Sequence, residues 1–221
     1  GIQARFINKN LFFFFFFYWR FLTIPRDNQP ERIFGGYNID YTFNPEDKDS
    51  FTLFTNMLAW HNGGQNLQIE RNLRTILNFT GGFSYIHTIN LSSKIGSKHY
   101  FTHYENVIAQ DVVPYNRGFG WTSEIQASFF NYWQTKMGFW YSESFHAPLG
   151  NFMYGNISEK YPSYFKDYRH VLYLQSKYER SVNNSVRLGV RVVSYFTPEF
   201  NETDFYFSLL MRFNHKFFIK N

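Results

Sequence analysis

The sequence has no cysteine, only seven prolines and no apolar stretch long enough for a membrane-spanning helix. The absence of cysteine excludes a disulfide framework and cysteine-ligated metal sites. The longest apolar run extends from Leu11 to Trp19 and contains six consecutive phenylalanines, Phe12–Phe17. As a helix it would be about 14 Å long, against about 30 Å of hydrocarbon in a bilayer. As a tilted strand it is long enough to span one, so a strand is favoured; the alternative is a soluble core strand apolar on both sides.

The chain also lacks any cluster of positive charge. It has 22 Lys+Arg against 17 Asp+Glu, a net charge of +5, and the basic residues are scattered along the sequence. Nucleic-acid-binding proteins concentrate their lysines and arginines in short tracts or on one face. The pattern therefore indicates no nucleic-acid partner, and scattered cations fit the anionic headgroups of a membrane surface better.

Aromatic residues are abundant instead, with 29 Phe, 17 Tyr and 5 Trp making up 23% of the chain. The mean hydropathy is nevertheless −0.40, because polar residues alternate with the apolar ones. Membrane-spanning β-barrels show this combination, since lipid-facing and lumen-facing positions alternate along each strand. A soluble β-sandwich also alternates, so composition alone leaves both architectures open.

The clearest alternation is in the last hairpin, from Ser185 to Phe218. One face of its final strand carries only apolar residues: Phe205, Phe207, Leu209, Met211 and Phe213. Comparable alternation predicts ten strands from Leu11 onward, including separate strands at Leu67–Phe79 and Phe83–Leu91. A further strand at Ile2–Asn8, or one near Tyr100–Val112, would raise the number to twelve.

The predicted connections alternate in length. Short turns are predicted near Pro45, Gly81, Tyr132 and Asn183. The connections at the other end include two long loops, Ser92–Gly118 and Ala147–Asp167. Such asymmetry, together with tryptophans and tyrosines near the strand ends, is typical of outer-membrane barrels. We therefore predict one domain over residues 1–221, a closed antiparallel transmembrane β-barrel.

On these patterns the chain resembles the small outer-membrane β-barrel proteins of Gram-negative bacteria, and its Asn-, Lys- and Phe/Tyr-rich composition resembles those of the Bacteroidota. The resemblance implies integral insertion in the outer membrane and contact with its lipid and lipopolysaccharide. One departure is that Phe217-Phe218 is followed by Ile219-Lys220-Asn221, whereas such barrels often end on an aromatic residue. An exported protein needs a signal peptide, which residues 1–5 do not provide, so Gly1 is expected at or near a processed start.

Two groups of residues could carry chemistry. Ser144 and His146 are two apart, and would share one face near a strand's outer end. Their Ser-x-His order is the reverse of the His-x-Ser of outer-membrane phospholipases, no third partner can be assigned, and Pro148 indicates that the strand is ending. His99 and His103, with Glu105 nearby, are spaced for a metal only on a helix, which the sequence does not favour. We predict no catalytic residue, no cofactor and no metal site.

Charged residues are also expected inside the barrel, where opposite charges would pair and fill a narrow lumen. These residues are Asp40, Glu70, Arg74, Arg187, Arg191 and Arg212. The leading functional prediction is a non-enzymatic accessory subunit whose two long loops bind another outer-membrane protein. The alternatives are a lipid hydrolase that uses Ser144 and His146, and a small-solute channel.

Overall fold

A computed structural model describes residues 1–21, 31–63, 74–107, 115–145, 156, 167–182, 186–198 and 202–213. In these ranges eleven strands form one antiparallel sheet, in which each strand pairs with the next along the chain. The strands are β1 Ile2–Ile7, β2 Leu11–Phe21, β3 Glu31–Phe43, β4 Asp49–Gly63, β5 Arg74–Asn90, β6 Ser93–Asn106, β7 Arg117–Phe129, β8 Trp133–Glu143, β9 Tyr168–Ser181, β10 Val186–Thr197 and β11 Glu202–Phe213.

The prediction of an all-β antiparallel protein is confirmed, but the predicted number of ten strands is wrong. Both extra strands exist, as β1 and β6, whereas the two strands predicted on either side of Gly81 are one continuous strand, β5. Gly81 and Gly82 do not form a turn. A β-carbon at position 82 would lie 2.5 Å from the Tyr100 β-carbon, so glycine is needed there because β6 approaches closely.

The predicted loop Ser92–Gly118 is also wrong, because β6 occupies most of it. Histidines and a lysine interrupt the apolar residues of this strand and hide its alternation in the sequence. The turn before β6 is at Leu91–Ser92, where the Asn90 side chain accepts a hydrogen bond from the Ser92 amide at 2.9 Å. Of the second predicted loop, Ala147–Asp167, only Asn156 and Asp167 belong to the described residues.

The phenylalanine run is a strand, as predicted. Alternate rings of β2 stack on the same face, with 5.7 Å between the ring centroids of Phe14 and Phe16. The next ring in this row, Tyr18, stacks on Phe34 of β3 at 5.0 Å. Among the residues that the structure describes, no helix has the length and apolarity to cross a membrane.

The two faces of the sheet differ in burial. On β7, Gly120, Thr122 and Glu124 are buried, whereas Trp121 and Ile125 are exposed. We call the face that carries Glu124 the inner face and the other the outer face. Their residues follow from the strand register. The outer face of β6–β9 carries a belt of exposed apolar side chains: Ile95, Phe101, Ile125, Met137, Leu172 and Leu174.

The two ends of the sheet differ as well. Short connections join β1–β2, β3–β4, β5–β6, β7–β8 and β9–β10 at one end, which we call the short-turn end. At the other, which we call the long-connection end, the buried apolar cluster packs on the inner face; it contains Ile76, Tyr104, Trp140, Phe145, Val171, Tyr173, Val193 and Tyr195. The Tyr104 hydroxyl donates to the Tyr115 carbonyl at 3.1 Å. Burial raises the pKa of the Tyr115 phenol, and the Asp167 carboxylate adds to the rise, so this side chain stays neutral.

Candidate active site

A serine and a histidine meet on the outer face, midway along β6 and β7. His99 and Ser123 are directly opposite each other in the antiparallel register of the two strands. The His99 Nδ1 atom lies 2.6 Å from the Ser123 Oγ atom, within hydrogen-bond distance, and both side chains are half-buried. A hydroxyl bonded to an imidazole is the arrangement by which a serine is activated as a nucleophile.

Aromatic residues lie on the strands around this pair. The His99 ring lies 5.1 Å from the Phe83 ring on β5. Trp121 lies two residues before Ser123, on the same face, and is directly opposite Tyr141 of β8. Successive same-face positions of a strand are about 7 Å apart. The serine is therefore one such step further from the long-connection end than this tryptophan and tyrosine.

The pair has no acidic third member in the part of the chain that the structure describes. His99 has no hydrogen-bond partner there other than Ser123. Glu124 is the next residue along, but its carboxylate lies on the inner face. There it accepts a hydrogen bond from the Tyr173 hydroxyl at 2.6 Å and forms an ion pair with Lys136 Nζ at 3.2 Å. The described residues therefore form a Ser–His dyad, in which the imidazole also contacts the Phe83 ring.

Ser144 does not continue the regular strand face on which the Ser144–His146 alternative depends. The strand β8 ends at Glu143, and Ser144 has a φ of 49°, so regular alternation does not extend to it. Its amide donates to the Asp167 carbonyl at 2.8 Å, which ties the start of the connection to its end. His146 lies outside the described residues. The shared strand face that would have brought the two side chains together is absent at Ser144.

Among the residues that the structure describes, the other histidines do not assemble a comparable site. His99 and His103 lie four residues apart on one extended strand, about 13 Å, so they do not share a metal ion. In the described ranges no group of three or more His, Asp or Glu side chains is placed to hold a metal ion. His61 Nδ1 lies 2.8 Å from the Thr75 hydroxyl, but near the end of both strands and with a more hindered secondary alcohol.

Comparison with known proteins assigns the chain to a family. The model of the lipid A 3'-O-deacylase-type family matches residues 1–221, the whole chain. The chain belongs to this family. No curated protein and no solved structure matches it.

This membership corrects the leading functional prediction. The prediction of a non-enzymatic protein is wrong, because the lipid A 3'-O-deacylase-type family is named for a lipid hydrolase activity. The accessory role, the protein partner and the small-solute channel have no support in that family. Of the alternatives, the lipid hydrolase is the class that the family supports. The likeness to Bacteroidota-type outer-membrane proteins is confirmed, and the family and the all-β fold are consistent with an outer-membrane location.

Sequence reasoning missed Ser123 as a site residue and treated His99 only as a metal ligand. The two residues are 24 positions apart, and the predicted loop over Ser92–Gly118 removed His99 from the sheet. Only the register of β6 against β7 brings them together. Only the prediction of a strand over residues 95–105 would have placed His99 on the outer face.

Proposed function

We propose that this protein is an outer-membrane esterase that removes an ester-linked acyl chain from lipid A, with Ser123 as the nucleophile and His99 as the general base. The observation that carries the assignment is the 2.6 Å contact between His99 Nδ1 and Ser123 Oγ on the outer face. A polar pair on an apolar surface also satisfies its own hydrogen bonds, so the contact alone does not define an enzyme. The family match over the whole chain supplies the reaction class.

The dyad performs acyl transfer in two halves. As Ser123 Oγ attacks the ester carbonyl carbon, its proton passes to His99 Nδ1, and the tetrahedral adduct then expels the sugar oxygen, which takes that proton. Water, deprotonated by the same imidazole, hydrolyses the acyl-serine and releases the fatty acid. All backbone donors around a mid-strand serine belong to the sheet ladder, so a side chain has to stabilise the oxyanion. The indole N–H of Trp121, one same-face step away, is the nearest candidate by position.

The depth of the dyad supports an ester in the outer leaflet as its substrate. Tryptophan and tyrosine rings settle at the level of the lipid headgroups, which assigns that level to Trp121 and Tyr141. Ser123 is about 7 Å deeper along the strand, where the acyl esters of a lipid begin. The long-connection end then faces the outside of the cell.

We also propose that the protein is inserted in the membrane as a closed β-barrel. It is supported by the belt of exposed apolar side chains, the alternation of short and long connections, and the second set of aromatic rings near the short-turn end, where Trp133 is opposite both Phe129 and Tyr178. In a meander of eleven strands β1 and β11 run in the same direction. A barrel closed by these two strands therefore has one parallel seam.

The test is release of fatty acid from purified lipid A in mixed micelles. Ser123→Ala is expected to lower kcat/KM at least a hundredfold, because it removes the atom that forms the acyl-enzyme. Ser97→Ala is the matched control, since Ser97 lies on the same face of β6 but is paired with Tyr85 and Ile125 rather than with His99. We expect it to retain activity within threefold.

Ser144→Ala separates the two candidate nucleophiles. We expect this variant to keep full turnover. Loss of activity in Ser144→Ala, with an active and folded Ser123→Ala, would transfer the nucleophile to Ser144 and contradict the proposed dyad.

A further inference from the structure

A second polar site lies on the inner face at the short-turn end, on the opposite face of the sheet from the dyad. A cavity of about 450 Å³ opens there between the β7–β8 turn and the adjoining ends of β9, β10 and β11. A neighbouring cavity of about 250 Å³ continues from it along the inner face, and Gln134 lines both. The residues used below are Lys177, Glu179, Arg187 and Arg212, which line the larger cavity.

Positive charge exceeds negative charge in this cavity. Lys177, Arg187 and Arg212 face a single carboxylate, that of Glu179. Lys177 Nζ lies 2.6 Å from one Glu179 oxygen, and Arg212 Nη1 lies 3.6 Å from the other. The second contact is too long for a hydrogen bond. Among the described ion pairs none includes Arg187, which acts on Glu179 only through the longer-range Coulomb field.

The strand register makes this excess of positive charge unfavourable for the stability of the sheet. Arg187 and Arg212 are directly opposite each other on β10 and β11 and project from the same face. Like charges in directly opposite positions of an antiparallel pair destabilise it. The neighbouring cavity adds Lys94 and Lys136 further along the inner face. One of these, Lys136, is already paired with Glu124.

We propose that this cavity binds a phosphate-type oxyanion between Arg187 and Arg212. Two guanidinium groups on adjacent strands can each donate a pair of hydrogen bonds to the oxygens of one anion, which relieves their mutual repulsion. Because the Glu179 carboxylate pairs with Lys177, both arginines keep guanidinium N–H donors available for an anion. The site is separate from the deacylase chemistry, since it lies on the other face of the sheet and at the end away from the long connections.

The test uses the whole chain in neutral detergent at about 0.15 M ionic strength, where the Debye length is about 8 Å, and titrates it calorimetrically with pyrophosphate. The expected result is saturable binding by the unmodified protein and at least a tenfold weaker affinity in the double variant Arg187→Gln/Arg212→Gln. Arg191→Gln is the matched control, because Arg191 has the same charge, strand and face but lies about 13 Å away, beyond the screening distance at moderate salt. Its affinity should stay within twofold of the unmodified value.

Glu179→Gln gives a second measurement that does not depend on removing a cation. Without the carboxylate the anion meets no repulsion, so the affinity should rise severalfold. No saturable binding by the unmodified protein, or equal affinity in the double variant with an unchanged β-sheet circular dichroism spectrum, would overturn the inference. Repeating the titration with phosphatidylglycerol in the micelles identifies the source of the anion: a weakened pyrophosphate affinity assigns the site to a lipid headgroup, and an unchanged one assigns it to a soluble anion.

Discussion

Gly138 lies directly beneath the ring of Tyr173. A β-carbon at position 138 would be 2.5 Å from the tyrosine hydroxyl oxygen, closer than non-bonded atoms come to a β-carbon. The two residues are opposite each other on β8 and β9. The same hydroxyl donates to Glu124 at 2.6 Å, so the glycine makes room for the ring that satisfies a buried carboxylate. Packing and charge compensation on the inner face are therefore coupled at this position.

Gly138→Ala should lower the free energy of unfolding by about 1–3 kcal/mol, because the added methyl group displaces the Tyr173 ring. Tyr173→Phe should cost about 1.5–3 kcal/mol through loss of a hydrogen bond to a charged group. If displacement of the ring is what breaks that bond, the double variant costs less than the two single changes added together. Urea unfolding in detergent measures all three values. Gly81→Ala is the control, since a β-carbon there meets nothing closer than 3.6 Å.

His99→Gln tests the base without removing a hydrogen-bonding side chain. The amide can still contact Ser123 Oγ but cannot take up its proton, so kcat should fall by about 10²–10⁴-fold with little change in KM. His103→Gln is the control on the same face of the same strand. A fall confined to KM in His99→Gln would indicate a substrate-binding role for this residue and contradict general-base catalysis.

How far the sequence predicts this molecule depends on the range of the interaction concerned. Alternation is a local property, so the strands β2, β3 and β11 and the two faces of the last hairpin could be predicted from it. The glycine pair in β5 misled the prediction, because a turn and a close approach between strands both favour glycine. Only the position of Tyr100 on the neighbouring strand distinguishes these two causes.

The candidate dyad could not be predicted for the same reason. His99 and Ser123 belong to different strands, and a shift of one residue in the register would move either side chain to the other face. The interior ion pair of Glu124 with Lys136 likewise depends on β7 and β8 lying side by side.

Of the charged residues predicted to face inward, Arg212 is paired with Glu179, Asp40 lies 3.4 Å from the amide of Asn38, and the side chains of Glu70 and Arg74 lie outside the described residues.

Closure of the sheet can be tested with engineered disulfides, since residues 1–221 contain no cysteine to interfere. Gln3→Cys on β1 is combined in turn with a cysteine at Tyr206, Ser208 or Leu210 on the inner face of β11. A closed barrel should give one strong crosslink under mild oxidation, because a disulfide requires Cα atoms about 4.4–6.8 Å apart. Gln3→Cys with Phe16→Cys, whose positions are opposite each other on β1 and β2, is the positive control.

A second series that starts from Arg5→Cys gives the direction of the seam. In a parallel seam the partner of residue 5 lies two positions further along β11 than the partner of residue 3. Absence of any crosslink between β1 and β11, while the control pair reacts fully, would show that these two strands do not meet.

If the protein is inserted in the membrane, two adjacent residues of β7 should differ in how well they tolerate substitution by arginine. Ile125 is on the outer face with 55% of its surface exposed, midway between Trp121 and Phe129, whereas Gln126 lines the smaller inner cavity. The step from Trp121 to Phe129 corresponds to about 27 Å of strand, or roughly 20 Å across the bilayer at the usual tilt of such strands, near the height of an apolar belt. Ile125 would then lie at the middle of the bilayer.

Ile125→Arg should therefore lower the stability of the protein folded in phospholipid vesicles by about 2–4 kcal/mol, the cost of an arginine facing lipid at mid-depth. Gln126→Arg should cost much less, because its side chain has polar neighbours and space on the inner face. Both values come from urea titrations of the vesicle-inserted protein, followed by tryptophan fluorescence. If water rather than lipid covers the outer face, Ile125→Arg is a surface substitution and should change the stability by no more than about 0.5 kcal/mol. Such a result would contradict insertion of the protein as an outer-membrane barrel. It would also contradict the placement of the dyad at the level of the acyl esters.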